Sequence, residues 1–86
     1  MTEPIERGTQ IAYIPMHADG DIGHPDVEFG FVTSVRGSTA FCRYWSKSSP
    51  GVLRTQANSE GTPSSMIVRH TSTLQGIVNQ LLEGIP

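Results

Sequence analysis

The chain has 86 residues, a formal net charge of −2 and only six lysine and arginine residues. A chain of this length can bury one modest core, so we expect a single domain. Six basic residues are few for a dedicated nucleic-acid-binding protein, which usually carries a basic excess. No apolar run approaches the ~20 residues of a transmembrane helix, and residues 1–8 lack the basic-then-apolar order of a signal peptide, so we expect a cytoplasmic protein.

The N-terminal part of the chain contains a predicted tail and the first predicted strand. Residues 1–7 are predicted to form a loose, flexible tail. Residues 8–14 have the pattern of a strand in which Ile11 and Tyr13 share one face. Pro15 has no N–H group to donate to a neighbouring strand, so the strand is predicted to end there.

A loop is predicted at residues 16–27, because two glycines, one proline and three aspartates fall within this segment. Long connections in compact domains are often functional. Imidazole and carboxylate side chains crowd the loop and the start of the next strand: His17, Asp19, Asp21, His24, Asp26 and Glu28.

Two interpretations of these side chains remain open. Two imidazoles with nearby carboxylates can bind Zn²⁺ or another divalent ion, but their spacing fits neither the common zinc motifs nor the EF-hand. Alternatively, the aspartate and histidine side chains stabilise turns by accepting hydrogen bonds from backbone N–H groups. His24 and Asp26 would then form such a turn, with Glu28 tied into it. We favour the second interpretation, and neither a metal ion nor another cofactor is assigned from the sequence.

The most regular part of the sequence is a predicted β-hairpin at residues 28–35 and 39–45, which are rich in valine, threonine and aromatic residues. Gly37 lies between the strands and can adopt the positive φ of a tight turn. Gly30 indicates a bulge or a close backbone approach. Because both faces of the hairpin are apolar, both are expected to be covered. Alternation predicts an inner face of Val32, Ala40, Cys42 and Tyr44, and an outer face of Phe31, Phe41, Arg43 and Trp45.

Cys42 is the only cysteine in the chain, so it cannot form an internal disulfide. Its position on the inner face predicts a small buried hydrophobic side chain and not a reactive thiol. A chain with one buried thiol is typical of a reducing compartment.

Beyond the hairpin, the sequence predicts two short strands separated by turns. A turn at residues 46–51 precedes a fourth strand at residues 52–57, and a fifth strand is predicted at residues 66–70. Residues 58–65 are predicted to form a loop with a single 3-10 turn near Pro63.

From Thr71 onward, the apolar period becomes that of an amphipathic helix. Ser72 and Gln75 match a capping box at its start, and Gly84 suits the position after its end. Gly76 costs ~1 kcal/mol relative to alanine, so the helix is expected to depend on docking. It can dock on the outer face of the hairpin, which we favour, or on a second copy of itself in a homodimer. Its apolar stripe consists of Leu74, Ile77, Val78, Leu81 and Leu82.

Together, these elements predict a mainly β fold, namely a small SH3-like barrel of about five antiparallel strands with one C-terminal amphipathic helix. The turn between the fourth and fifth strands favours this fold over an OB-fold. The expected organisation is a tail at residues 1–7, a barrel at residues 8–70 and a helix within residues 71–86.

The order of motifs in residues 8–70 resembles that of a group of small uncharacterised proteins of tailed phages and prophages. The motifs are a Gly-Thr-x-hydrophobic-x-Tyr-hydrophobic-Pro start at Gly8, a His-x-x-Gly-Asp loop at His17 and a His-Pro-Asp-x-Glu-x-Gly turn at His24. A Val-x-Ser hairpin that ends in Phe-x-Arg-Tyr and a Gln-Ala pair follow. The resemblance implies an SH3-like fold and a phage or prophage origin, but no activity. The position of Cys42 is more often valine in this group, which favours a core role.

The sequence supports three hypotheses about function, and no enzyme is predicted because no nucleophile or phosphate-loop motif occurs. The first is a non-catalytic module that binds a host or phage protein. The second is a nucleic-acid-binding module in which aromatic rings stack on bases and Arg43 or Lys47 contacts phosphate. The third is a metal-binding protein that uses residues 17–26. If the helix covers the outer face of the hairpin, the aromatic residues of that face belong to the core. The loop at residues 16–27 is then the candidate functional region. The residues predicted to bind are Phe31, Phe41, Arg43, Trp45 and Lys47.

Overall fold

The fold is one antiparallel sheet of five strands with an α-helix packed against it. The computed structural model describes residues 4–54 and 59–85. Short 3-10 helices lie at Met16–Ala18 and Ser64–Met66. The mainly β architecture with a C-terminal helix is confirmed. The strands are β1 (Gln10–Tyr13), β2 (Glu28–Arg36), β3 (Thr39–Tyr44), β4 (Glu60–Pro63) and β5 (Ile67–Arg69), and the helix is α1 (Gln75–Glu83).

The strands lie in the order β4-β3-β2-β1-β5, and the neighbouring strands are antiparallel. The 3-10 turn predicted near Pro63 forms the connection from β4 to β5, and β5 then pairs with β1. This arrangement agrees with the predicted SH3-like topology. The described strands do not close into a complete barrel, because β4 and β5 remain the two edges of the sheet.

Strands β2 and β3 form the predicted hairpin, in which Arg36 lies opposite Thr39. Gly37 adopts a φ of 58° in the turn, a conformation that side chains disfavour. Gly30 is explained by a close backbone approach, because a Cβ atom there would lie 2.1 Å from the carbonyl oxygen of Arg43. The bulge lies further along β2, where the register with β3 shifts.

The fourth strand lies in a segment where the sequence predicts a loop. The prediction of a strand at residues 52–57 is wrong for its first part, since Leu53 forms only an isolated bridge with Trp45. Residues 55–57 lie outside the described residues. The observed β4 falls instead within residues 58–65 and pairs with β3.

Packing against β3 explains why β4 forms despite its unfavourable composition. Glycine and proline are both depleted in strands, but an edge strand tolerates Pro63. Gly61 lies against the ring of Phe41, and a Cβ atom there would be 3.4 Å from Cε1 of that ring. The hydroxyl groups of Thr62 and Tyr44 are hydrogen-bonded at 2.8 Å. Contacts with β3 therefore override the local preference of this segment for a loop.

The inner face of the hairpin forms the main core, as predicted. Tyr13 packs against it from the side. Cys42 is fully buried, and burial raises the pKa of its thiol from 9.0 to about 11. The structure therefore agrees with a core role for this residue. The main core consists of Ile11, Val32, Ala40, Cys42, Tyr44 and Ile67.

We expect the Cys42 thiol of the native protein to react at least about a hundredfold more slowly with an aromatic disulfide reagent than the thiol of the unfolded chain. The thiolate is the nucleophile, and both burial and the raised pKa deplete it. Release of the coloured product at neutral pH, with and without denaturing urea, measures the two rates. Similar rates in both solutions would contradict the buried position.

Helix α1 covers the part of the outer face that Phe31 and Trp45 form, which confirms the favoured docking position. Phe31 and Val78 are fully buried at this contact, and Trp45 is 5% exposed. Most of the apolar stripe is thus packed within its own chain, although Ile77 is 39% exposed. Among the described residues, no helix is both long and apolar enough to span a membrane. Partly buried residues complete this second core: Phe29, Leu53, Leu74, Leu81, Leu82 and Ile85.

The predicted capping box does not form, because α1 begins later, at Gln75, and its N-cap residue Leu74 makes no side-chain cap. The Ser72 hydroxyl instead donates to Oε1 of Gln10 at 2.5 Å and accepts from the Leu74 N–H at 3.1 Å. The Gln75 amide donates to the carbonyl oxygen of Gly8 at 3.1 Å. These side chains therefore anchor the start of the helix to the first strand.

Residues 4–7, the described part of the predicted loose tail, are held by contacts. Ile5 packs against the main core. The guanidinium group of Arg7 donates to three carbonyl oxygens, those of Thr33, Leu82 and Ile85. These bonds join β2 to the C-terminal end of α1, where unpaired carbonyl groups favour a cation. Residues 1–3 of the predicted tail lie outside the described residues.

Candidate functional site

The residues predicted as a binding face do not form one exposed surface. Phe31 and Trp45 lie beneath α1, so their rings present almost no free face. Because bases stack on exposed rings, these two rings offer little of the stacking surface that the nucleic-acid hypothesis assigns to them. Phe41 is half-buried against β4, and Arg43 is half-buried in β3. Lys47 is exposed beyond the end of β3.

A groove of about 560 Å³ opens between the loop before β2, the end of β3 and the start of α1. We refer to it as the Trp45 groove. Its volume falls in the range of pockets that hold a small ligand or a few side chains. Its apolar lining includes Ile22, Pro25, Phe29, Trp45 and Leu74, and its polar lining includes His24, Lys47 and His70.

The floor of the Trp45 groove is held by packed aromatic rings. The ring centroids of Phe29 and His70 lie 4.6 Å apart, and those of Trp45 and Phe31 lie 5.3 Å apart. Both distances fall within the range of favourable ring contacts. Since Phe31 is fully buried under α1, the floor is supported from below and is formed before any ligand arrives.

The described lining of the Trp45 groove includes a basic side chain and no acidic one. The Lys47 ammonium group donates to the carbonyl oxygen of Pro25 at 2.6 Å and so bridges two walls. His24 and His70 add imidazole groups. None of the described residues that line the groove is aspartate or glutamate. The groove therefore suits an apolar group that lies beside an anionic one.

Three residues of the predicted loop cluster meet beside the groove. His17 Nε2 lies 2.6 Å from Asp26 Oδ2, and this hydrogen bond holds the pKa of Asp26 below its ordinary value. The Asp26 backbone N–H donates to Nδ1 of His24 at 3.0 Å, which confirms the predicted turn. The rings of His17 and His24 lie 5.3 Å apart, edge to face.

The other acidic residues of the predicted cluster lie apart from these three. Asp21 Oδ1 accepts from the Gly23 N–H at 2.9 Å, which is the turn-stabilising role that we favour for the loop. Asp19 is exposed and adopts a φ of 51° at the end of the first 3-10 helix. Glu28 is not tied into the turn, because its carboxylate contacts the guanidinium group of Arg54.

The groove residues that sequence reasoning missed include Phe29, His70 and Leu74. Phe29 has the apolar character of any strand residue, which indicates a core position and not a groove floor. His70 follows β5 and Leu74 precedes α1, and only the fold brings them beside Trp45. No local sequence signal marks these positions.

No protein-family model matches this chain, and neither a curated protein nor a solved structure matches it. The resemblance of residues 8–70 to small phage proteins therefore stays a prediction.

Proposed function

We propose that this chain is a non-catalytic interaction module that binds a short segment of a partner protein in the Trp45 groove. The observation that supports this proposal is the combination of a preformed aromatic floor with the basic side chain of Lys47. Fold alone does not assign a function, so the proposal depends on the chemistry of this groove.

The groove chemistry also indicates the kind of segment. An apolar or aromatic side chain gains most by burial against Phe29 and Leu74, which line the groove and are half-buried. A neighbouring aspartate or glutamate then lies within reach of Lys47, whose charge also acts on the nearby Asp26 carboxylate. The groove is open on one side and bounded by loops, which suits an extended peptide. We therefore expect an acidic segment with one apolar anchor.

The origin and location of the protein are part of the same proposal. The resemblance of residues 8–70 supports a phage or prophage protein that acts in the host cytoplasm on a host or phage protein. Neighbouring genes that encode other phage proteins would support this origin, because phage genes cluster by role.

Binding can be measured with the intrinsic fluorescence of Trp45, which is the only tryptophan of the chain. The probe is an array of short synthetic peptides with one central aromatic or aliphatic residue and aspartate or glutamate two positions away. A matched array carries lysine in place of the acidic residue. We expect the acidic peptides to change the fluorescence and the basic peptides to bind at least about tenfold more weakly.

Two groove variants and two matched controls test the site. Lys47→Glu and Ile22→Ser change an exposed basic residue and a 44% exposed apolar residue of the groove. Arg36→Glu and Val35→Ser make the same changes at the turn end of the hairpin, where both residues are exposed. We expect only the groove variants to weaken binding, by at least about tenfold. No binding by either array, or equal losses in groove and control variants, would overturn the proposal.

A further inference from the structure

We propose that His17, His24 and Asp26 form a binding site for a divalent transition-metal ion, with Zn²⁺ as the probe. One nitrogen or oxygen atom from each of the three side chains lies within 4.8 Å of the other two. The site borders the Trp45 groove through His24, which lines one of its walls. The inference does not depend on peptide binding in that groove.

The donor set suits a transition metal. Imidazole nitrogen and carboxylate oxygen are common zinc ligands, and two imidazoles with one carboxylate leave an open position for water. In a tetrahedral site with ordinary bond lengths, ligand atoms lie about 3.4 Å apart. The His17–Asp26 pair, now at 2.6 Å, must therefore open, and wider pairs must close by roughly 1 Å.

Those movements are easy because two of the ligands, His17 and Asp26, are exposed while their neighbours in the chain are fixed. The side chains of His17 and Asp26 are 63% and 57% exposed, so they can rotate without disturbing the core. Ala18 follows His17 and Val27 follows Asp26, and both are buried in a small cluster with Ala12 of β1. The backbone at each end of the loop is thus anchored, which keeps the three side chains close together before a metal binds.

The protons of the site can rearrange to accept a cation. In its neutral form, His17 donates its Nε2 proton to the Asp26 carboxylate, and binding would shift that proton to Nδ1. The Nε2 lone pair and the carboxylate oxygen then both face the metal ion. The lone pair of His24 Nδ1 accepts the Asp26 backbone N–H, so coordination of a metal ion through this atom would break that hydrogen bond. No proton needs to leave the protein if both rings are neutral.

The competing explanation is that these bonds only stabilise the loop. In that case His17, His24 and Asp26 would matter for folding but not for metal affinity. A measurement of metal binding therefore separates the two roles, and a measurement of stability does not.

The test uses the full chain without a histidine tag and a chromophoric chelator that competes for Zn²⁺. We expect one zinc ion per chain and at least about tenfold weaker binding by His17→Ala, His24→Ala and Asp26→Asn. Asp19→Asn is the control, because it removes the same charge from the same loop outside the three-residue site. It should keep the affinity of the parent protein.

His70, the third histidine of the chain, lies outside the proposed site and provides an internal control. In an NMR spectrum of the imidazole groups, we expect Zn²⁺ to shift the signals of His17 and His24 and to leave that of His70 in place. Absence of zinc binding by the parent protein would overturn the inference. Equal affinity in the parent and the His17→Ala variant, or equal shifts for all three histidines, would also overturn it.

Discussion

Replacement of Phe31 by alanine is expected to lower the free energy of unfolding by about 3–5 kcal/mol, the usual cost of deleting a buried aromatic ring. Phe31 is fully buried between the sheet and the helix, where its ring contacts that of Trp45 and packs with Val78. Its loss removes apolar contacts on both sides and leaves a cavity beneath α1. A nine-residue helix is only marginally stable on its own, so the loss of the Phe31 ring should also weaken the docking of α1.

Phe41→Ala provides the matched control for this prediction. Phe41 belongs to the same predicted outer face, but it is half-buried against β4 and lies outside the core beneath the helix. We expect Phe41→Ala to lower the free energy of unfolding by at most about half as much as Phe31→Ala. Both the lost hydrophobic transfer free energy and the cost of the cavity scale with the burial of the side chain. Urea unfolding followed by circular dichroism measures both variants. Equal losses, or a loss below about 1 kcal/mol for Phe31→Ala, would show that α1 does not seat on Phe31.

Gly30→Ala is expected to destabilise the protein by about 3 kcal/mol or more, which is the upper end of overpacking effects. The added Cβ atom would lie 2.1 Å from the carbonyl oxygen of Arg43 and 2.9 Å from the Cα atom of Tyr44. Both atoms belong to the backbone of β3, so relief requires the two central strands to separate. That separation would disturb the inner face at Tyr44 and the outer face at Trp45 together.

The same substitution at Gly76 should change the free energy of unfolding in the opposite direction. A Cβ atom at Gly76 meets no neighbour within 4 Å, and the residue lies in the first turn of α1. Gly76→Ala is therefore expected to raise the free energy of unfolding by about 0.5–1 kcal/mol. Thermal unfolding of both variants and of the parent protein measures the two changes in stability. A neutral Gly30→Ala or a destabilising Gly76→Ala would contradict the packing described for these positions.

The sequence predicts the elements whose local pattern agrees with their final environment. Residues 28–35 and 39–45 alternate between two faces: the inner face forms the main core, and α1 covers the outer face at Phe31 and Trp45. The stripe of α1 has a helical period, and its docking site follows because the outer face of the hairpin needs a cover. Cys42 is identified as core from its alternation in β3. In each case, residues close in sequence contain the whole signal.

The remaining features depend on contacts between distant residues. β4 forms around Gly61 because the ring of Phe41 packs there, although the segment itself favours a loop. Ser72 has the sequence context of a helix cap, but it bonds to Gln10 of the first strand. The Trp45 groove is assembled from the loop before β2, the end of β3 and the start of α1. No single segment contains enough of it to be recognised from sequence.

An NMR titration with a peptide from the acidic array tests the assignment of binding to the Trp45 groove most directly. Amide and indole signals of the ¹⁵N-labelled protein report each position separately. We predict the largest shifts at residues 22–25, at the Trp45 indole and at Lys47, with little change at the hairpin turn around Gly37. Largest shifts at that turn or on the exposed side of α1, or no shifts at all, would contradict binding in the groove.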